Sequence, residues 1–139
     1  MPYSLRFENE IVYVTVTGVF SPNDIAGMTR DIVDLEVGKK AVPHRIVDMS
    51  QATEFGITPQ HLRQLAAYRR SMNFPNIFKS AIVVSTLVQF GHARMFQILN
   101  DHPQIRLAIF PSIAAAEEWL KEPGFALPER EWTPRQTPK

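Results

Sequence analysis

The 139 residues include no cysteine. That excludes disulfides, thiolate nucleophiles and every zinc site built on cysteine. Glycine is scarce, six in all, and none stands in the Gly-x-Gly-x-x-Gly or Gly-x-x-x-x-Gly-Lys-Thr spacing that cradles the phosphates of a dinucleotide or nucleoside triphosphate. Charge of one sign is missing too: fifteen Lys and Arg against fourteen Asp and Glu leave a net charge of +1. The basic residues are scattered, densest at Arg63, Arg69 and Arg70, so no basic face is offered to nucleic acid or an anionic membrane. No apolar run approaches the ~18 residues needed to span a bilayer. The opening MPYSLRFENE has neither the basic region nor the apolar core of a signal peptide. His44, His61, His92 and His102 form no His-x-x-x-His pair and have no spaced acidic companion, so neither a metal nor another cofactor is expected. These absences point to a soluble, cytoplasmic protein.

What is present is an ordinary globular composition, 45% hydrophobic and 21% charged, at a length suited to one domain. YSLRF alternates, with Tyr3, Leu5 and Phe7 on one face; ENE turns the chain, and IVYVTVTG alternates again through Val12, Val14 and Val16. Two such runs joined by a short polar turn predict an antiparallel hairpin. Ser21-Pro22 with Asp24 three residues past the cap opens a helix whose inward stripe is Ile25, Met28, Ile32 and Leu35. HRIVDM reads as a short buried strand, and a polar connection follows it. Thr58-Pro59 then repeats the cap-plus-proline signal before a helix carrying Leu62, Leu65 and Ala66. KSAIVVS is a strand covered on both faces. A helix over 87–100 follows, with Val88, Met95, Phe96 and Leu99 inward; IRLAIF is the last strand, and a final helix has Ile113, Ala116 and Leu120 inward. The order β-β-α-β-α-β-α-β-α predicts an α/β fold with a mostly parallel sheet and an antiparallel first strand. Residues 1–121 make that domain. Residues 122–139 form an extended tail with four prolines, whose Phe125, Leu127 and Trp132 are expected to dock on folded protein.

The stretches VTGVFSPNDI, RIVDMSQATEFGITPQHL, AIVVSTLVQFGHARMFQIL and LAIFPSIAAAEEWL carry a family likeness over roughly Tyr3 to Leu120. The chain resembles the SpoIIAA-like family, the bacterial branch grouped with STAS and CRAL-TRIO lipid-binding domains. That resemblance implies a SpoIIAA-like fold and a non-enzymatic binding or regulatory role. In sigma-regulating relatives a serine opening the second helix is phosphorylated within an Asp-Ser-Ser-Gly-like motif. The matching stretch here is EFGITP, where the hydroxyl is that of Thr58 and the residues before it are Gly56 and Ile57. A phosphate there would meet the free N–H groups of a helix start.

Asp48 and Ser50 fall at the expected carboxyl end of a parallel strand, where open α/β sheets bind ligands. His92 and Arg94 open the third helix and could reach the same edge. Asp48, Ser50, Thr58, His92 and Arg94 are therefore the candidate ligand residues. The competing reading of Asp48 is local, with its carboxylate satisfying loop N–H groups. No catalytic residue is assigned: a Ser50-His92-Asp48 hydrolase lacks the Gly-x-Ser-x-Gly elbow. The expectation is a module acting through protein–protein contacts, commonly as a closed homodimer. The alternatives are a carrier or sensor of a small apolar or anionic ligand and, in third place, a small hydrolase.

Overall fold

The computed structural model describes residues 2–37 and 39–128. It contains β1 (Tyr3–Glu8), β2 (Ile11–Phe20), α1 (Pro22–Glu36), β3 (His44–Phe55), α2 (Pro59–Arg70), β4 (Phe78–Val83), α3 (Leu87–Leu99), β5 (Ile105–Phe110) and α4 (Ile113–Lys121). The expected element order holds throughout. Trp132 and the rest of the far tail lie outside the described residues.

The five strands form one sheet in the order β1-β2-β3-β4-β5, with β1 antiparallel to β2 and every other neighbour pair parallel. Asn9 and Glu10 turn the β1–β2 hairpin with φ of 53° and 64°, both left-handed, as a two-residue type I′ turn requires. Parallel neighbours need crossovers, and crossovers of one hand in one direction put their helices on the same face. Met28 and Ile32 of α1, Leu62 of α2 and Ala93 of α3 accordingly pack against the side of the sheet bearing Val12, Val14, Val16 and Ile82. Among the described helices, α4 covers the opposite side, where Ala116, Trp119 and Leu120 meet Tyr13, Ile46, Ala81 and Phe110. Such burial, at about 25 cal/mol per Å² of apolar surface, is the main force holding the layers together.

Two helices begin at the caps expected, Ser21 and Thr58, and a third starts at Thr86. Ser21, Thr58 and Thr86 each cap a first turn in a reciprocal box with the residue three later, namely Asp24, His61 and Gln89. Several faces differ from expectation. Val88 and Met95 point outward, while Gln89 and Ala93 are the buried residues of α3. Ala93 is small enough to bring the helix close to the sheet, and Gln89 turns inward because it has backbone to bind. Ile113 is exposed at the start of α4, and Trp119 takes its place in the core. Phe7 is likewise exposed, although Tyr3 on the same face of β1 is buried against α1.

β3 is twice as long as expected, 12 residues rather than the six of HRIVDM. β4 pairs with it only as far as Asp48, but β2 continues to offer a ladder out to Phe20↔Phe55. Polar residues are tolerated there because the segment has a strand on one side alone. Register shifts fall between Thr15 and Thr17 and between Gly18 and Val19 of β2, so β3 bulges twice. Beyond Asp48, where β4 has ended, the carbonyls of Ser50 and Ala52 accept from the Gln89 side-chain amide at 3.2 and 2.9 Å. The same amide's oxygen accepts from the backbone N–H groups of Ser85 and Thr86. Gln89 thus fastens the start of α3 to the sheet.

α4 is fastened at its other end. Lys79, on the α4 side of β4 and 1% exposed, donates through Nζ to the carbonyls of Trp119 and Glu122 at 2.7 and 2.8 Å. These lie at the helix C-terminus, where carbonyls lack intrahelical partners and a cation is favoured. The start of the tail also touches the domain: Trp119 donates through Nε1 to the Ala126 carbonyl, and the Phe125 ring lies edge-on to His44.

Candidate functional site

An amphipathic helix is expected to present apolar residues at i, i+3, i+4 and i+7 to its sheet. Two helices here break that rule with charge. Glu36 follows Ile32 by four residues on the inward face of α1, and Arg69 follows Leu62 and Ala66 on the inward face of α2. β3 supplies a third charge, Arg45, on the same side as Val47. All three are buried, at 6%, 5% and 8% exposure respectively.

They form one cluster. Arg69 grips Glu36 through two parallel bonds, Nη1 to Oε1 at 2.8 Å and Nη2 to Oε2 at 2.7 Å. Arg45 donates from Nη1 to Oε2 at 3.0 Å and from Nε to the Ser80 hydroxyl at 3.4 Å. Each guanidinium also lies over an aromatic ring, Arg45 on Phe78 and Arg69 on Phe74, both at 5.3 Å. Burial pulls the Glu36 carboxyl upward, but the two guanidinia more than offset it and hold the group below the usual carboxylate range. Loss of water, followed by repulsion from Arg69, pushes Arg45 down to about 10, so it remains charged at neutral pH.

Arg45 and Arg69 of the cluster form part of the wall of a chamber between α1–α3 and the sheet, with a volume of about 100 Å³. Met28 and Ile32 of α1, Leu62 of α2, Ala93 and Phe96 of α3, and Val16, Val47 and Ile82 of the sheet supply most of the lining. Arg45, Arg69 and Ser80 are among its polar members. An apolar cavity with a few converging polar groups is the usual form of a small-molecule site.

No family model matches the chain, and no curated protein matches it. Solved structures do, among them an uncharacterised protein of the DUF3478 family from Shewanella loihica PV-4, described as having a SpoIIAA-like fold. The match has a TM-score of 0.58 at 14% identity and covers 85% of this chain and 91% of that one. The fold is SpoIIAA-like. At that identity the match speaks for architecture, and the chemistry has to come from this chain's own residues.

Within the SpoIIAA-like frame the five sequence candidates part company. His92 lines the chamber, its ring stacked on Phe55 at 4.6 Å and its Nδ1 2.9 Å from the Val88 carbonyl. Asp48 lies on the opposite side of the sheet, since it alternates with Val47 and pairs with Val83 of the α4 cluster. Its Oδ1 accepts from the Ser50 N–H at 2.9 Å and the Ser50 hydroxyl at 2.6 Å, a local ring that closes the β3 bulge. Thr58 is engaged with His61 in the α2 cap. Arg94 is exposed and donates to Gln97. Asp48 and Ser50 are therefore brought together, but His92, Thr58 and Arg94 are not brought to them.

Glu36, Arg45 and Arg69 were not singled out from sequence. A signal was present: each is a charge at a position that the local periodicity reserves for an apolar side chain. No spacing motif links them, because their contact exists only once α1, β3 and α2 have packed.

Proposed function

We propose that the chain is a non-enzymatic binding module whose ligand occupies the chamber between α1–α3 and the sheet. What carries this reading is an apolar wall on which Arg45, Arg69 and Ser80 converge. The SpoIIAA-like fold agrees with a binding or regulatory role. A hydrolase centred on Ser50 finds no support, because the Ser50 hydroxyl donates to Asp48 and no histidine among the described residues bonds to either. Native mass spectrometry of freshly purified protein tests the proposal. Added mass that leaves on denaturation, or that appears after incubation with a panel of small organic acids and alcohols, supports it. Bare chain mass under all those conditions overturns it.

A second reading rests on the outer face of α3. Leu87, Val88, Met95 and Ile98 are exposed at 68%, 63%, 37% and 63% and form one stripe around Gly91. A Cβ placed on Gly91 would meet nothing within 4 Å, so another backbone can approach closely there. The occupant proposed is a second copy of this chain, since a net charge of +1 per copy opposes pairing little. In this reading native spectra show twice the chain mass, and Val88→Lys returns the single mass. A single mass for the unaltered protein at micromolar concentration sinks it. Phosphorylation at Thr58 has only the helix start in its favour, and its hydroxyl is already engaged in the cap.

A further inference from the structure

The charged corner of the chamber is not electrically balanced. Two guanidinium groups face one carboxylate, which leaves one positive charge in a region where Arg45 and Arg69 are almost wholly removed from water. Burying an uncompensated charge is costly unless something neutralises it. Donors are left over as well. Glu36 and Ser80 take bonds from Nη1 and Nε of Arg45, and Glu36 takes bonds from Nη1 and Nη2 of Arg69. Nη2 of Arg45 and Nε of Arg69 make no hydrogen bond among the described residues, although neither is a fully sealed donor of the kind found at Asn100. The missing partner suggested by this arrangement is a monoanion with acceptor oxygens.

The rest of the wall restricts what that anion is attached to. Val16, Met28, Ile32 and Leu62 offer only apolar contact, so a bare inorganic anion would leave most of the chamber unfilled. Volume limits the length. At about 100 Å³ the chamber has roughly two-thirds the size of the ~150 Å³ cavity known to accept benzene.

We infer that the chamber binds a short aliphatic monocarboxylate of about three to five carbons, its carboxylate at Arg45 and Arg69 and its chain among Val16, Met28, Ile32 and Leu62. This rests on the reading of the chamber as a ligand site and adds the chemical class. One negative charge balances the corner, whereas a dicarboxylate or phosphate dianion would overshoot it.

Calorimetric titration with pentanoate and with pentan-1-ol tests the inference. The expected result is pentanoate binding at least tenfold tighter than the alcohol, with acetate and octanoate both weaker than pentanoate. Arg69→Gln should weaken pentanoate by roughly thirtyfold, the loss of one charge-assisted contact, and leave the alcohol unchanged. Ala93→Leu, which fills the chamber from α3, should abolish both while the far-ultraviolet circular dichroism is retained. Should Arg69→Gln fail to fold, transferred nuclear Overhauser effects from pentanoate to the methyls of Ile32 and Leu62 in the unaltered protein replace it, and their absence overturns the placement. Equal binding of acid and alcohol, or binding of the alcohol alone, refutes the carboxylate class but keeps the chamber as a ligand site. Binding of neither, across the series from acetate to octanoate, refutes both.

Discussion

Glu36→Gln is the sharpest test of how the buried cluster is held. The substitution keeps shape and volume but removes the carboxylate that bonds both Arg45 and Arg69. Two guanidinia, each under a tenth exposed, would then face each other across a neutral amide. Removing one partner of a buried ion pair costs about 3–5 kcal/mol, because the remaining charge stays desolvated and unpaired. Against a total stability of about 5–15 kcal/mol this is a large share, and at about 4 °C per kcal/mol the melting temperature should fall by about 12–20 °C. Urea unfolding followed by circular dichroism measures it directly. Replacing all three members, Glu36→Leu with Arg45→Met and Arg69→Met, should be far milder, between neutral and stabilising by about 1–4 kcal/mol, since an apolar cluster has no charge to desolvate. A loss below about 1 kcal/mol for Glu36→Gln would refute the reasoning, for it would mean that water reaches both guanidinia. A triple variant as unstable as the single one would refute it from the other side.

Other outcomes are accessible with the same assay. Glu10 occupies a left-handed backbone at φ 64° that glycine adopts freely, so Glu10→Gly should stabilise the protein by about 0.5–1 kcal/mol. Gln89→Leu should cost about 2–4 kcal/mol, since the carbonyls of Ser50 and Ala52 lose their side-chain donor. Acidification should destabilise in two separate windows. Burial, assisted by the Lys79 charge, holds His44 below 6.5, and its Nδ1 accepts from the Lys79 N–H at 3.0 Å. The unfolded chain therefore takes up that proton first, so stability is intact above about pH 6.5 and is lost as pH falls toward the folded value. The lowered Glu36 carboxyl acts with the same sign but only below about pH 4.5. His44→Asn should flatten the urea midpoint between pH 7 and 5, and an unchanged slope would remove His44 from this role.

The order of elements was legible because periodicity and capping agree in this chain. Ser21 and Thr58 start helices, and the alternation of Val12, Val14 and Val16 marks a half-buried strand. The far half of β3 was not legible. SQATEF has the composition of a loop, and it becomes strand only because β2 runs on beside it. α3 misled for a related reason: Val88 and Met95 look like core residues, yet the helix buries Gln89 because the sheet presents unpaired carbonyls there. At the site, the sequence pointed to His92 through its place at the start of a helix after a central strand. It could not show that Asp48 and His92 lie on opposite faces, which depends on strand parity and a bulge. Nor could it join Glu36 to Arg69, 33 positions away.

The spatial order of the strands repeats their order along the chain. Each βα unit can therefore dock on an edge already built, which favours local contacts and permits assembly from the N-terminus as the polypeptide leaves the ribosome. One surface has to wait. Tyr13, Ile46, Ala81 and Phe110 are covered only when α4 folds back, and Lys79 has no Trp119 or Glu122 carbonyl to bind before then. A nascent or truncated chain ending before Ile113 would show a sticky sheet face with a lysine near the start of β4. That intermediate, rather than the finished domain, is the form most exposed to chaperones and to aggregation.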